Sequence, residues 1–168
     1  VRTEAHFFMS DAAQYLNQGL AHHQAGRLDQ ARACYQQALD VDGSHADSLH
    51  LLGVVACQQG ENDEAVELMR RAIALQPNQP EYRSNLGNAY QQLGRLEEAV
   101  ASYGEAIRLQ PAFADAHSNL GHALRKLGRL DEAIGYFQQA MQLKPVYVDA
   151  CNVLGSTLRS PGLLSEAE

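Results

Sequence analysis

Small and turn-forming residues recur along this chain at a spacing of 34 positions, and this period constrains the fold more than any other feature. Five sets of residues keep the period in register: Gly19, Gly53, Gly87, Gly121 and Gly155; Gly26, Gly60, Gly94, Gly128 and Gly162; Ala31, Ala65, Ala99, Ala133 and Ala167; Ala38, Ala72, Ala106 and Ala140; and Pro77, Pro111 and Pro145. Self-similarity at such a period is typical of repeat proteins, whose units bury their apolar faces only by stacking. We therefore expect an elongated array.

The residue types at this period resemble the tetratricopeptide repeat, a helix–turn–helix unit. The central copy is PEYRSNLGNAYQQLGRLEEAVASYGEAIRLQPAF. Its matches to the large and small positions of the family are Leu86, Gly87, Tyr90, Ala99, Tyr103 and Ala106. The resemblance implies an all-α fold, a right-handed α-solenoid in which each repeat contributes a first helix (A) and a second helix (B).

This register predicts a leader at residues 1–11, outside the repeats, and a repeat domain at 12–168. The repeats span 12–45, 46–79, 80–113 and 114–147, with a partial fifth at 148–168. Ser10 is a candidate N-cap for the first helix. The leader is interpreted either as a segment without a role or as an apolar arm carrying Phe7 and Phe8. The short fifth repeat is either a capping helix or part of a longer array.

Punctuating residues predict the helix ends within each repeat. In the central copy, helix A runs from about Pro80 to Leu93, because proline fits the first helical position. Gly94 ends it. Helix B begins near Leu96 and stops at Gln110, since the residue before Pro111 disfavours helical geometry. Acidic residues in the first turn of each B helix are expected to stabilise the helix, because their negative charge interacts favourably with the positive end of its dipole.

The small residues predict where helices cross. Two helices approach closely only where neither presents a bulky side chain, so Gly87 and Ala99 should mark the crossing within a repeat. The large side chains Leu86, Tyr90 and Tyr103 should fill the surrounding core. Gly104 falls inside a B helix, as does Gly135, and each is expected to cost about 1 kcal/mol relative to alanine.

Composition excludes several classes of partner. The net charge is −7 and the isoelectric point near 5.4, which argues against nucleic acid and anionic membranes, since both require a basic surface. The sequence contains no apolar run of about 18 residues, so we expect no membrane insertion. Three widely spaced cysteines, Cys34, Cys57 and Cys151, indicate neither a disulfide framework nor a zinc site. These features favour a cytoplasmic protein.

No catalytic motif occurs in the sequence. It lacks a nucleophile elbow, a phosphate-binding glycine loop and a zinc-protease motif, so this chain is predicted not to be an enzyme and to need no cofactor. The seven histidines are interpreted as solvated or groove-edge residues. The adjacent His22 and His23 point to different faces of a helix, and His117 and His122 diverge. No metal site is predicted.

The family resemblance implies a ligand groove on the concave side, where A helices contribute their second, fifth, sixth, ninth, twelfth and thirteenth positions. The groove changes from apolar in repeats 1 and 2 to amide-rich in repeats 3 and 4 and basic towards the C-terminal end. Its predicted contact residues are Asn17, Leu51, Ser84, Asn85, Asn88, Gln92, Ser118, Asn119, His122, Arg125, Lys126 and Arg159.

The asparagines at the sixth position, Asn17, Asn85 and Asn119, suggest a mode of recognition. An amide donates and accepts hydrogen bonds, so a row of amides can pair with the backbone of an extended peptide. This row is similar to the asparagine ladder in the repeats of O-linked N-acetylglucosaminyltransferase, as is the stretch Ala114 to Leu124. The alternative is that asparagine is simply common at this position in the family.

Another known mode of the family is predicted to be absent. Chaperone-binding members hold a terminal carboxylate with lysine, arginine and asparagine at defined positions. The best frame in this chain offers Ser84, Asn88, Asn119, Asp149 and Val153, and three of these five differ from the pattern.

Three functions therefore remain open. The first is an interaction module that binds a protein or peptide in the groove. The second is the substrate-recruiting region of a larger enzyme, such as a bacterial glycosyltransferase. The third is a self-assembling scaffold, in which the incomplete fifth repeat forms a homo-oligomer.

Overall fold

The computed structural model describes residues 2–145, with side chains from Asp11 onward. This part of the chain is all-α. Its eight helices are α1 (Arg2–Gln24), α2 (Leu28–Val41), α3 (Ala46–Gln59), α4 (Asn62–Leu75), α5 (Pro80–Gln92), α6 (Leu96–Leu109), α7 (Ala114–Lys126) and α8 (Leu130–Leu143). The predicted contact residue Arg159, the partial repeat 148–168 and the oligomerisation predicted for it lie outside the described residues.

Helices pack in sequential pairs, as the repeat register predicts. Odd-numbered helices are the A helices and even-numbered helices the B helices, and each helix packs against those before and after it. The central repeat agrees with prediction within one residue at each end. Proline occupies the start of α5, and Glu97 and Glu98 lie in the first turn of α6. The all-α repeat solenoid is thus confirmed.

The first helix begins earlier than expected. α1 starts at Arg2, so Ser10 lies inside the helix and its predicted role as N-cap is wrong. The physical reason is that residues 2–11 contain neither glycine nor proline. Once the helix has formed, adding a residue to its end costs far less than nucleation, and nothing here stops it.

Glycine ends the A helices in a conformation that other residues rarely adopt. Gly94 has φ of +73°, within the left-handed region, and Gly60 has +86°. Without a Cβ, glycine enters this region at no steric cost. The set of glycines that includes Gly60 and Gly94 therefore forms the tight turn that brings each B helix back against its A helix.

The other set of glycines, which includes Gly53, Gly87 and Gly121, lies where helices cross. A Cβ on Gly87 would lie 2.6 Å from Cε1 of Tyr103, and one on Gly121 would lie 2.8 Å from Cε1 of Phe137. In repeat 2 the aromatic residue is replaced by Met69, and a Cβ on Gly53 would lie 3.0 Å from Cγ of Met69. Close approach at these glycines lets the large ring fill the core.

The core runs through the array as two contiguous clusters. One extends from Ala31 in the first repeat to Tyr82 in the third, and the other extends from Ala56 to Phe137. The predicted core residues Leu86, Tyr90 and Tyr103 are buried in the second cluster. No helix within residues 2–145 combines the length and apolar character that crossing a bilayer requires.

Curvature places the A helices on the inner side of the array. α3 contacts α5, and α5 contacts α7, across the B helices that separate them in sequence. Side chains of successive A helices are consequently close enough to form hydrogen bonds with one another. This concave side carries the candidate site.

Candidate functional site

A chain of hydrogen bonds connects three A helices along the concave side. Asn119 Nδ2 on α7 donates to Asn88 Oδ1 at 3.2 Å, and Asn88 Nδ2 donates to Asn85 Oδ1 at 3.2 Å, both on α5. Asn85 Nδ2 then lies 2.8 Å from His50 Nε2 on α3. We call His50, Asn85, Asn88 and Asn119 the concave network. It fixes the orientation of each amide.

His50 is the most buried member of the concave network. Its side chain stacks on Tyr82 with ring centroids 4.3 Å apart, and only 8% of the residue is exposed. Burial lowers the pKa of His50 to about 4 and outweighs the opposite effect of the negative charge on Asp47. An amide nitrogen can only donate, so Nε2 accepts from Asn85 and the imidazole is neutral.

Asn88 is the centre of the concave network. Its Oδ1 accepts from Asn119 and also from the hydroxyl of Tyr103 on α6, at 2.8 Å. The latter bond ties the groove to the repeat core, because Tyr103 packs beneath Gly87. Burial also raises the pKa of Tyr103 well above its ordinary value, so the hydroxyl stays protonated and donates.

We expect Tyr103→Phe to lower the free energy of unfolding by about 1 kcal/mol, since one buried hydrogen bond is lost while the ring still fills the core. Tyr136→Phe is the control. Tyr136 is half-buried and its hydroxyl forms no hydrogen bond with residues 11–145, so the unfolding free energy should change little. Urea denaturation of both variants measures the difference. Equal losses in the two variants would contradict a hydrogen bond from Tyr103 to Asn88.

A pocket of about 290 Å³ opens on the concave side between α3 and α5. Its lining is uncharged and consists mainly of carboxamides: Val54, Cys57, Gln58, Asn85, Asn88, Gln91 and Gln92. Two of these amides belong to the concave network. Gln58 is also engaged, since its Oε1 lies 2.9 Å from His23 Nε2 on α1. The pocket is therefore formed by two A helices, and a hydrogen bond from Gln58 links it to a third, α1.

The structure distributes the predicted contact residues over three environments. Asn17, Gln92, Arg125 and Lys126 are exposed, whereas Leu51, Asn85, Asn88, Asn119 and His122 are half-buried. Ser84 and Ser118 are buried, with 5% and 3% exposed. These two serines therefore present little surface to a ligand. His122 packs edge-on against Phe137, with ring centroids 5.0 Å apart.

Two histidines depart from the expectation of solvated or groove-edge positions. His50 is buried in the concave network, and His117 is buried with its Nε2 2.9 Å from the carbonyl oxygen of Pro111. That expectation is wrong for both. Sequence reasoning omitted His50 from the groove, although it occupies the fifth position of repeat 2, as Ser84 does in repeat 3. The repeat register alone was a sufficient signal.

The ends of the A helices differ in charge. Asp47 accepts a hydrogen bond from the hydroxyl of Tyr82, and Asp115 forms an ion pair with Lys144 at 3.1 Å. These acids begin α3 and α7, whereas Arg125 and Lys126 end α7. Within residues 11–145, no three metal-ligating side chains come together as a metal site requires. The site is thus an amide-rich surface between an acidic edge and a basic end.

Comparison with protein families gives a match over most of the chain. The model of the tetratricopeptide repeat matches residues 16–80 and 84–147. No curated protein sequence matches this chain.

Solved structures show the same architecture. MamA is 26% identical, with a TM-score of 0.79, covering 86% of this chain and 85% of that one. YrrB, described as a TPR protein with an unusual peptide-binding site, is 26% identical with a TM-score of 0.74, covering 88% and 76%. The first TPR of Spaghetti (RPAP3), bound to the HSP90 peptide SRMEEVD, is 27% identical with a TM-score of 0.66, covering 69% and 92%.

Proposed function

The chain belongs to the tetratricopeptide repeat family, and we propose that it is an interaction module that binds an extended segment of a partner protein in the concave groove of its A helices. The observation that carries this proposal is the concave network, which aligns amide groups of α5 and α7 with His50 of α3. A groove that serves only to close the array needs no such polar alignment.

The concave network leaves hydrogen-bonding capacity for a ligand. Asn85 uses one of its two N–H groups on His50, and Asn88 uses one of its own on Asn85. Each amide therefore retains one donor, because an asparagine side chain carries two. Their orientations are already fixed by internal bonds, so binding costs less conformational entropy. An extended peptide offers backbone carbonyls to such donors.

Structural neighbours support peptide recognition in general. YrrB is described by its peptide-binding site, and the Spaghetti domain holds a peptide. In this chain, Ser84 is buried where a chaperone-tail clamp would need an exposed lysine. We therefore propose that the ligand is held by amides at the centre of the groove rather than by a carboxylate clamp.

Capture of partners from a cell lysate tests the groove. We expect Asn85→Ala/Asn119→Ala to lose most of the partners that the unchanged protein retains, because the double substitution removes amides from two A helices. Quantitative mass spectrometry of the captured proteins measures the loss.

The matched control is Gln37→Ala/Gln138→Ala, which removes two exposed amides from the B helices α2 and α8. Thermal melting establishes that both variants fold. Partners that persist on the groove variant but disappear from the control would overturn the proposal and place recognition on the B helices.

Two alternatives from the sequence remain hypotheses. A recruiting role within a larger enzyme is tested by reading the parent gene for a catalytic domain. A self-assembling scaffold is tested by light scattering over a range of protein concentrations, where a constant monomer mass would contradict it.

A further inference from the structure

We propose that the pocket between α3 and α5 is a subsite for a carboxamide side chain, asparagine or glutamine, carried by the bound segment. This inference rests on the proposed function and adds the side chain that the groove selects. Three features of the pocket support it: an uncharged lining, the hydrogen bonds already made there, and one buried oxygen without a partner.

The lining excludes charged groups. Val54 and Cys57 form its apolar part, and the remaining five side chains are amides. The Cys57 thiol lies 3.5 Å from Asn62 Oδ1, and burial raises the pKa of the thiol, so it stays neutral. A lysine or glutamate entering the pocket would lose hydration and meet no opposite charge. An uncharged polar group avoids this cost.

The fixed amides of the pocket present donors. Both lone pairs of Asn88 Oδ1 are used, by Tyr103 and by Asn119. What Asn88 retains is one N–H, and Asn85 likewise retains one. The ligand group must therefore accept hydrogen bonds from this side of the pocket.

Gln91 supplies the opposite requirement. Its Oε1 is buried from solvent and accepts no hydrogen bond from the described residues. A buried acceptor without a partner costs free energy. Gln91 lines the pocket, and a rotation about the last torsion of its side chain would bring this oxygen to a donor on the ligand. The ligand group must therefore also donate.

A carboxamide meets both requirements with one planar group. Its oxygen accepts from Asn85 or Asn88, and its NH₂ donates to Gln91 Oε1. An aliphatic side chain of similar size would leave all of these groups without partners. Because unpaired polar groups penalise the wrong ligand, such a site discriminates more sharply than an apolar pocket does.

Selection from a displayed library of randomised linear peptides, with the full chain as bait, tests the subsite. We expect the selected peptides to share an asparagine or glutamine at one position. Replacing that residue by leucine in a synthetic peptide should weaken binding about tenfold, as loss of one or two hydrogen bonds predicts. Fluorescence anisotropy measures the affinity.

The protein variant Gln91→Leu should reduce this preference, because it removes the acceptor Oε1 but leaves the donors of Asn85 and Asn88 in place. The glutamine and leucine peptides should then differ less in affinity than they do on the unchanged protein. Gln91→Met, which keeps the length of the side chain, replaces it if thermal melting shows that the leucine variant does not fold. The control is Gln37→Leu, which changes an exposed amide on α2 and should leave the preference intact.

The outcomes separate the subsite from the groove. Suppose that Asn85→Ala/Asn119→Ala weakens the binding of the selected peptides, but that these peptides show no carboxamide preference or keep it undiminished on Gln91→Leu. The subsite is then wrong and the groove proposal stands. If no peptide is selected, or binding is insensitive to Asn85→Ala/Asn119→Ala, the proposed function fails and the subsite fails with it.

Discussion

Gly87→Ala is expected to lower the free energy of unfolding by about 2 kcal/mol, the middle of the range for overpacking a core. The new Cβ would lie 2.6 Å from Cε1 and 2.7 Å from Cδ1 of Tyr103, inside van der Waals contact. Alanine favours helix by up to about 1 kcal/mol over glycine, and the clash must exceed that gain. Urea denaturation followed by circular dichroism measures the result.

Tyr103 cannot easily give way to the added methyl group. It is fully buried, with 0% exposed, and its hydroxyl is anchored on Asn88 Oδ1. Moving the ring therefore disturbs both the core beneath α5 and the concave network above it. We expect the variant to lose stability and also to shift the side-chain amide resonances of Asn88.

The matched control is Gly104→Ala in the neighbouring helix α6. A Cβ at Gly104 meets nothing within 4 Å, and its backbone is helical. This substitution should raise the unfolding free energy by up to about 1 kcal/mol. The two glycine-to-alanine substitutions are thus expected to change the unfolding free energy in opposite directions. Stabilisation by both substitutions would contradict the close crossing at Gly87.

The fold was predictable from the sequence because its determinants are local and repeated. Gly94 ends α5, Pro111 limits α6, and Gly87 with Ala99 permits the crossing, each through backbone or steric rules that need no knowledge of the rest of the molecule. The five sets also recur in successive repeats, so each helix boundary and crossing is indicated several times along the chain. The start of α1 was missed because no residue there encodes a boundary.

The candidate site was predictable only in part. The register placed Asn85, Asn88 and Asn119 on the inner side, but it did not show the hydrogen bonds that join α5 to α3 and to α7. These bonds depend on the distance between helices separated by a complete repeat, which curvature decides. The burial of Ser84 has the same origin. His50 was overlooked because a lone histidine is usually exposed, whereas Tyr82 of the next repeat covers this one.

Acidification is expected to destabilise the protein through His50. Burial lowers the pKa of His50 to about 4, against an ordinary value of 6.5, so the folded protein binds this proton only at low pH. The unfolded chain already binds it below pH 6.5. Between these values the unfolded state takes up more protons, and stability falls as the pH falls. The loss amounts to about 3 kcal/mol at pH 4, at 1.36 kcal/mol per pKa unit.

His50→Gln isolates this contribution. Glutamine does not titrate in this range, and its carbonyl oxygen can accept the hydrogen bond from Asn85. Carboxylates such as Glu98 and Glu132, whose pKa values are lowered by hydrogen bonds from Arg95 and Arg129, also lose stabilisation in acid. They do so in both proteins. The difference between the two curves of unfolding free energy against pH therefore reports His50 alone, and it should change by about 3 kcal/mol from pH 6.5 to 4.

The change of that difference with pH also tests the direction of the hydrogen bonds in the groove. A constant difference across this range would mean that folded His50 takes up its proton normally, with Nε2 as a donor. Asn85 would then face His50 with Oδ1 at the 2.8 Å contact, and its NH₂ would point towards Asn88. Asn88 would in turn have to reverse, which puts its NH₂ against the amide of Asn119. Only a neutral His50 is consistent with the bonds from Tyr103 and Asn119 to Asn88 Oδ1, and hence with the donors left for a ligand.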